Sequence, residues 1–327
     1  MQEHHMGGIF SLIGDTPLVE LRRILPEFRG TVYAKLEKFN PGGSIKDRTA
    51  LSMLTEKINS GELRPKKSVV VESSSGNLAI GIAQICRYYG IEFICVVDAK
   101  TTAQNIAILR AFGATIERVT EPDPETGEYL VARLGRVREI VETTPHAYWP
   151  NQYSNPLNPL ALESMWDEIA DALDGKVDYL FCAVSSCGTL RGCVDRIRQR
   201  GMSTEVVAVD AVGSVIFGNH RAATRLIPGH GSSVRSPLLD ENQVDTVVHV
   251  SDLECTVACR QLAARESVLV GGSSGATIAA LKRLAGEIRP GAKCVVVFPD
   301  GGERYLDTIY SDEWVVKNFG EVTHLWK

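Results

Sequence analysis

No apolar run in this sequence approaches the ~20 residues that a bilayer-spanning helix needs. Neither sign of charge is in large excess. The 35 Lys and Arg against 40 Asp and Glu leave a net charge of −5, which favours neither nucleic acid nor an anionic membrane as a partner. Met1–Met6 lacks the charged-then-apolar layout of a secretion signal. His4 and His5 read as an irregular leader and not as a metal site. Paired metal-ligand spacing is missing too. Cys255 and Cys259 stand one helical turn apart, but no second pair lies nearby. The other cysteines are scattered. Cys86, Cys95, Cys182, Cys193 and Cys294 fall in apparent strands or apolar helix faces, as buried thiols of a reducing cytoplasm do. Also absent are G-x-G-x-x-G, G-x-x-x-x-G-K-[ST] and H-E-x-x-H. A nicotinamide dehydrogenase, a P-loop NTPase and a zincin are therefore unsupported. There is no internal repeat and no low-complexity tract.

What is present is an alternation of strands and helices. With 327 residues, 44% of them hydrophobic, the chain can build a large core, and its length suggests two lobes. Strand patterns fall at Val32–Glu37, Ser68–Glu72, Phe93–Asp98, Ala114–Val119, Ala147–Trp149, Asp178–Val184, Glu205–Asp210, Thr246–Val250, Ser267–Val270 and Lys293–Phe298. Helical patterns lie between most of them, including Ser44–Asn59, Leu160–Leu173, Leu253–Ala264 and Ser274–Gly286. Such alternation argues for an α/β fold with parallel sheets covered on both faces. About ten strands suit two lobes better than one sheet, with a ligand at strand C-terminal ends between them. Val212–Asp240 is irregular and glycine-rich, and long irregular segments in compact domains are functional or disordered.

Four turns stand out. Asn40–Arg48 is a glycine-rich turn that runs into a helix with Lys46 near its first turn. The helix N-terminus carries partial positive charge and disfavours an ammonium. A neutral amine is what Schiff-base chemistry with an aldehyde needs. Ser73–Asn77, Ser185–Thr189 and Gly271–Gly275 are Ser/Gly-rich strand-to-helix turns, and each presents backbone N–H groups suited to an anion.

Taken in order, Asn40–Arg48, Ser74–Asn77, Ser185–Thr189 and Gly271–Ala276 resemble the fold-type II pyridoxal-phosphate enzymes, the cysteine synthase and cystathionine β-synthase group. The resemblance extends through Pro299–Leu306. It implies a two-lobed α/β fold like the tryptophan synthase β-subunit, with parallel-type sheets flanked by helices. Residues 41–150 would form a smaller lobe, and residues 1–40 with 151–327 a larger one. It implies pyridoxal 5′-phosphate as cofactor, no metal, and a homodimer. Lys46 would hold the cofactor and then act as base on the substrate Cα. Asn77 would bond the cofactor's 3′ oxygen, and Ser185, Ser186, Cys187, Gly188 and Thr189 would cradle its phosphate. Ser273 would face the pyridine nitrogen. A neutral hydroxyl there leaves the ring a moderate electron sink, which suits β-replacement better than transamination. Ser74 and Ser75, with Asn77, would grip the substrate carboxylate.

The sequence departs from ordinary cysteine synthases. Leu78 stands where their carboxylate loop ends in threonine, and Ser185 where their phosphate loop begins with glycine. Ser164–Ile169 replaces a Thr-Thr-Gly-Pro-Glu-Ile stretch and puts Trp166 at its glycine. With Tyr129–Arg133, Ala147–Tyr153 and Val209–Gly218, the chain is similar to one branch of the group. That branch joins O-phospho-L-serine to the amino group of L-glutamate and releases phosphate. Its product is a 2,3-diaminopropionate precursor used in siderophore biosynthesis. A phosphate leaving group and a dicarboxylic nucleophile need cations or aimed donors. Arg133, Arg221 and Arg225 are candidates, and Tyr153 and Ser185 could orient the amine. His230 reads as a loop-packing residue. An O-phosphoserine or O-acetylserine sulfhydrylase is the alternative within the group, and a catalytically silent binding module the alternative outside it.

Overall fold

The computed structural model describes residues 8–218 and 223–326. His4, His5 and Arg221 lie outside the described residues. A short strand, β1 (Leu18–Leu21), leads to β2 (Thr31–Leu36). Helix and strand then alternate through α1 (Lys46–Asn59), β3 (Val69–Ser73), α2 (Asn77–Tyr89), β4 (Glu92–Asp98), α3 (Ala103–Ala111), β5 (Thr115–Val119), α4 (Tyr129–Thr143) and β6 (Ala147–Tyr148). The rest comprises α5 (Leu157–Ala172), β7 (Tyr179–Ala183), α6 (Gly188–Gln199), β8 (Glu205–Ala211), β9 (Thr246–Val250), α7 (Asp252–Glu266), α8 (Gly272–Leu284), β10 (Lys293–Phe298) and α9 (Asp312–Phe319).

The strands form two sheets. One has the order β1-β2-β10-β7-β8-β9, parallel except for the antiparallel β1–β2 pair. The other has the order β5-β4-β3-β6 and is parallel throughout. Val70 of β3 and Phe93, Cys95 and Val97 of β4 pack with buried side chains of α1 and α2 into one apolar core. The six-stranded sheet carries a core on each face, one against α7 and α8 and one against α5 and α6.

Strand order reverses twice. In the six-stranded sheet the chain moves outward from β7 to β8 and β9, while β10 lies on the other side of β7. In the four-stranded sheet β4 and β5 lie on one side of β3 and β6 on the other. At such a reversal the turns leaving neighbouring strands run in opposite directions and leave a crevice at the strand C-terminal ends. The turns after β3, β7 and β10 leave the sheets at these points.

Most expected elements are present within a residue or two, but two differ. Ser267–Val270 is not a strand. Ser267 caps α7 in the left-handed conformation with φ +57°, and α8 begins at Gly272, so too few residues remain for a ladder. Val270 makes only an isolated bridge to Gly301. Helix α5 starts at Leu157, three residues before the expected Leu160. Asn155 Oδ1 accepts the Leu157 amide at 2.9 Å, and Pro159 sits in the first turn, where its missing N–H is not needed. Val212–Asp240 holds no helix or strand among its described residues, as expected. All eight cysteines are buried and free. Trp166 is fully buried among apolar side chains of α5, α6 and β7, so its role here is packing.

Candidate active site

The lysine turn is tightly built. Gly43, at φ +81°, takes a conformation that residues with a Cβ rarely adopt. A Cβ on Gly42 would collide with Asp47 Oδ1. Asp47 accepts the Gly42 amide, and Asn40 Oδ1 accepts the Gly14 amide at 2.9 Å. Ser44 Oγ accepts the Lys46 amide at 3.2 Å, and Ile45 N donates to Pro299 O at 2.8 Å, tying the turn to the end of β10. Lys46 is thus the first residue of α1. Burial lowers its amine pKa to about 8, against smaller upward pulls from Cys187 and Asp300. The sequence led us to expect a depressed pKa from the helix terminus; burial is the larger cause.

Each of the other three turns opens a helix. Ser74 Oγ accepts the amides of Gly76 at 3.4 Å and Ala79 at 3.3 Å, so this hydroxyl satisfies N–H groups at the start of α2 and keeps its proton to donate. The Ser75 carbonyl accepts from Asn105 Nδ2 at 2.9 Å. At α6, Cys187 holds φ +65°, a strained value for a residue with a Cβ. Its side chain turns into the apolar core, and burial pushes the thiol up to about 12. What Cys187 offers the turn is therefore backbone, not sulfur. Asn158 Nδ2 reaches Ser186 Oγ at 3.3 Å, and a Cβ on Gly188 would overlap Asn158. Ser185 and Thr189 are half-buried. At α8, Ser273 is half-buried, and its hydroxyl engages no described group. Ser274 Oγ is buried without a partner.

The end of β10 joins these turns, and here sequence reasoning missed residues. Asp300 is buried. Its Oδ2 accepts from Asn77 Nδ2 at 2.7 Å and from Tyr305 O–H at 2.6 Å. Arg304 donates to Asn77 Oδ1 and to the Gly42 carbonyl. Gly271 N reaches Asp300 O at 3.4 Å. An acid placed directly after a buried parallel strand was the available signal, since strand C-terminal ends are where such folds bind ligands.

Arg133, expected as a free cation, is instead paired. Its Nε lies 3.2 Å from Asp98 Oδ2, with both side chains buried. Tyr153 is half-buried; burial raises its phenol pKa, and Arg133, Glu72 and Arg225 all act on it electrostatically. Arg133 and Arg225 therefore both lie near Tyr153. Arg225 Nη1 also donates to Gly213 O at 2.7 Å. His230 is buried, and neither ring nitrogen is bonded among the described residues. Burial, with Arg225 nearby, lowers its pKa to about 3, so the imidazole is neutral.

Glu72 was also missed. It is fully buried in β3, accepting from Trp149 Nε1 at 3.0 Å and Ser73 N at 2.8 Å. Burial raises its pKa from 4.5 to about 7. Between those two values the folded state holds the extra proton, so stability falls as pH rises through that window. Replacing Glu72 with glutamine removes the titration. Thermal midpoints measured from pH 5 to 8 should fall less steeply for Glu72→Gln than for the parent. Parallel slopes would mean that Glu72 titrates normally.

Residues 9–300 match the family of pyridoxal-phosphate dependent enzymes. The chain belongs to that family. It is 44% identical over 310 residues to N-(2-amino-2-carboxyethyl)-L-glutamate synthase of Ralstonia nicotianae, covering 94% of this chain and 91% of that one. It is 43% identical over 321 residues to the same-named protein of Cupriavidus metallidurans, with the same coverage. An O-acetylserine dependent cystathionine β-synthase from Helicobacter pylori superposes with a TM-score of 0.85 at 29% identity, covering 94% of this chain and 99% of that one.

As a pyridoxal-phosphate dependent enzyme, the protein uses pyridoxal 5′-phosphate, and its fold is that of the fold-type II group. The site fits this group. A turn at the start of α6 offers backbone N–H donors where glycine is needed sterically. Lys46 supplies an amine that loses its proton more readily than a surface lysine. Ser273 and Ser274 at the start of α8 carry hydroxyls without partners among the described residues.

Proposed function

We propose that the protein joins O-phospho-L-serine to L-glutamate, giving N-(2-amino-2-carboxyethyl)-L-glutamate and phosphate. The observation that carries this reading is the 43–44% identity, over nearly the whole chain, to two relatives of that name. The nearness of Arg133 and Arg225 to Tyr153 supports it, because a substrate pair rich in phosphate and carboxylate needs donors and cations. In the reaction the Cβ–O bond to phosphate breaks and a Cβ–N bond to glutamate forms.

When bound, the cofactor supplies an electron sink for charge that develops at the substrate Cα. Lys46 anchors it, then takes the Cα proton and later returns it. A pKa near 8 suits both tasks, since the amine changes protonation near working pH. N–H groups of residues 185–189 hold the cofactor phosphate, and the Ser273 hydroxyl meets the ring nitrogen without forcing a charge on it. Ser74, Ser75 and the backbone N–H of Asn77, at the N-terminus of α2, receive the substrate carboxylate. Ser185 and Tyr153 orient the glutamate amine, and Arg225 with the Arg133–Asp98 pair sets the local charge.

The same reading divides the chain into a lobe of residues 41–150 and a lobe of residues 1–40 and 151–327. It makes the protein a cytoplasmic homodimer whose product feeds a siderophore pathway. Absorbance with substrates added in turn tests the chemistry. O-phospho-L-serine should change the visible band, glutamate should then reverse the change, and the product mass should equal the joined amino acids. Reversal with sulfide alone, yielding cysteine, would make the protein a sulfhydrylase instead.

A further inference from the structure

We propose that Asp300 and Arg304 fix the orientation of the Asn77 amide, so that Asn77 can offer the cofactor's 3′ oxygen only a hydrogen-bond donor. The inference rests on the assignment of Asn77 to that oxygen and adds what enforces its chemistry. A primary amide presents an oxygen on one side and an NH₂ on the other, and only its partners decide which faces where. Asn77 Nδ2 donates to Asp300 Oδ2 at 2.7 Å. The guanidinium of Arg304, which can only donate, bonds Asn77 Oδ1. Turning the amide over would set NH₂ against guanidinium and oxygen against carboxylate, two repulsive contacts at once.

Asp300 is itself held in place. Tyr305 O–H donates to the same Oδ2 at 2.6 Å, and residue 300 pairs with Ser44 through an isolated bridge. Asp300 is buried and its Oδ1 has no partner among the described residues. Protonation of Asp300 would not undo the arrangement, because Oδ2 already accepts two hydrogens and the proton would sit on Oδ1. Arg304 is anchored by the Gly42 carbonyl in the lysine turn. One hydrogen of Nδ2 goes to Asp300, and the second has no acceptor among the described residues. That hydrogen is the one left for the cofactor oxygen. A donor at this oxygen stabilises its ionised form and so sets the colour of the bound cofactor.

The test uses purified holoenzyme of Asp300→Asn, Arg304→Gln and Asn77→Ala, with the visible absorption band and the cofactor Kd as readouts. Arg304→Gln and Asp300→Asn should each move the band in the direction that Asn77→Ala moves it. Each should also weaken cofactor binding by about tenfold, the worth of one well-placed hydrogen bond. If Asn77→Ala moves the band and the other two leave it at the parent position, the proposal fails while the Asn77 assignment stands. If Asn77→Ala leaves the band unmoved, the assignment fails and takes the proposal with it. Should Asp300→Asn not fold, Arg304→Gln decides alone, because Arg304 is only part-buried.

Discussion

Lys46→Ala should yield a colourless protein and reduce turnover by at least about a thousandfold. On the proposed roles of Lys46, the variant loses two functions at one atom, covalent attachment of the cofactor and proton transfer at the substrate Cα, and the second alone is worth about 10²–10⁴-fold. The rest of the turn should survive. Its hydrogen bonds run through the Lys46 amide, Ser44, Asp47 and Gly42 and not through the lysine side chain. Stability should therefore change little, which separates loss of chemistry from loss of fold. The visible spectrum and product formation from O-phospho-L-serine and glutamate are the measurements. Full turnover in the alanine variant would remove Lys46 from the mechanism.

The second large effect is on stability. Arg48→Met should destabilise the protein by about 3–5 kcal/mol, the usual result of removing one partner from a buried ion network. Arg48 lies two residues beyond Lys46 and is buried with Glu37. Its Nε and Nη2 reach the two Glu37 oxygens at 2.8 and 3.0 Å, and its Nη1 and Nη2 reach Glu168 at 2.6 and 2.8 Å. Lys35 also pairs with Glu168. Without Arg48, all four of these acid oxygens lose a donor, and the buried Glu37 has no water to turn to. Burial pulls the Glu168 carboxyl upward, but the hydrogen bonds and charge of Arg48, helped by Lys35, outweigh it and bring the pKa down to about 2. A carboxyl depressed in this way adds stability above its unfolded pKa near 4.5 and loses it as pH falls toward 2. The parent should lose stability through that acid window and Arg48→Met should lose less. Chemical unfolding at pH 7 and pH 4 measures both effects. A loss below about 1 kcal/mol at pH 7 would place the network among solvent-exposed pairs.

The effect would also reach the site. Glu37 accepts from Asn40 Nδ2 at 2.8 Å, and Asn40 begins the lysine turn. A loosened Glu37 therefore loosens the platform of Lys46, so cofactor retention and stability should fall together.

The local parts of this protein were legible in its sequence. The Ser/Gly turns at residues 40–48, 73–77, 185–189 and 271–275 lead into helices as their sequences suggest, because backbone geometry at a turn is written in neighbouring residues. Gly90 caps the C-terminus of α2 with a left-handed φ of +66°, a conformation glycine adopts without strain. What sequence could not supply were partners far apart in the chain. Asn77 meets Asp300 across 223 positions, and no spacing rule joins them. Arg133 was read as a cation awaiting a substrate because its partner, Asp98, sits on β4 while Arg133 sits on α4. The same limit hid Glu72, which reads as one polar residue in an apolar run until Trp149 is seen beside it. Ser267–Val270 erred the other way: its apolar pattern suits a strand, but the two flanking helices leave no room for one.

The position of β10 in its sheet bears on how the protein is made. This strand lies between β2 and β7, yet it ends at Phe298, more than 260 residues after β2 ends at Leu36. A ribosome releases β2 early and β10 very late, so the sheet cannot close while most of the chain is being synthesised. Contacts so distant in sequence form slowly, and until they form, the edges of β2 and β7 are open to foreign strands. The lysine turn is tied to Pro299 and the Asn77 amide to Asp300, so the nascent chain has no finished place for the cofactor until residue 300 is out. Capture of the cofactor is therefore a late event in maturation, and a chain shortened before β10 would lack its active centre however well its earlier parts had folded.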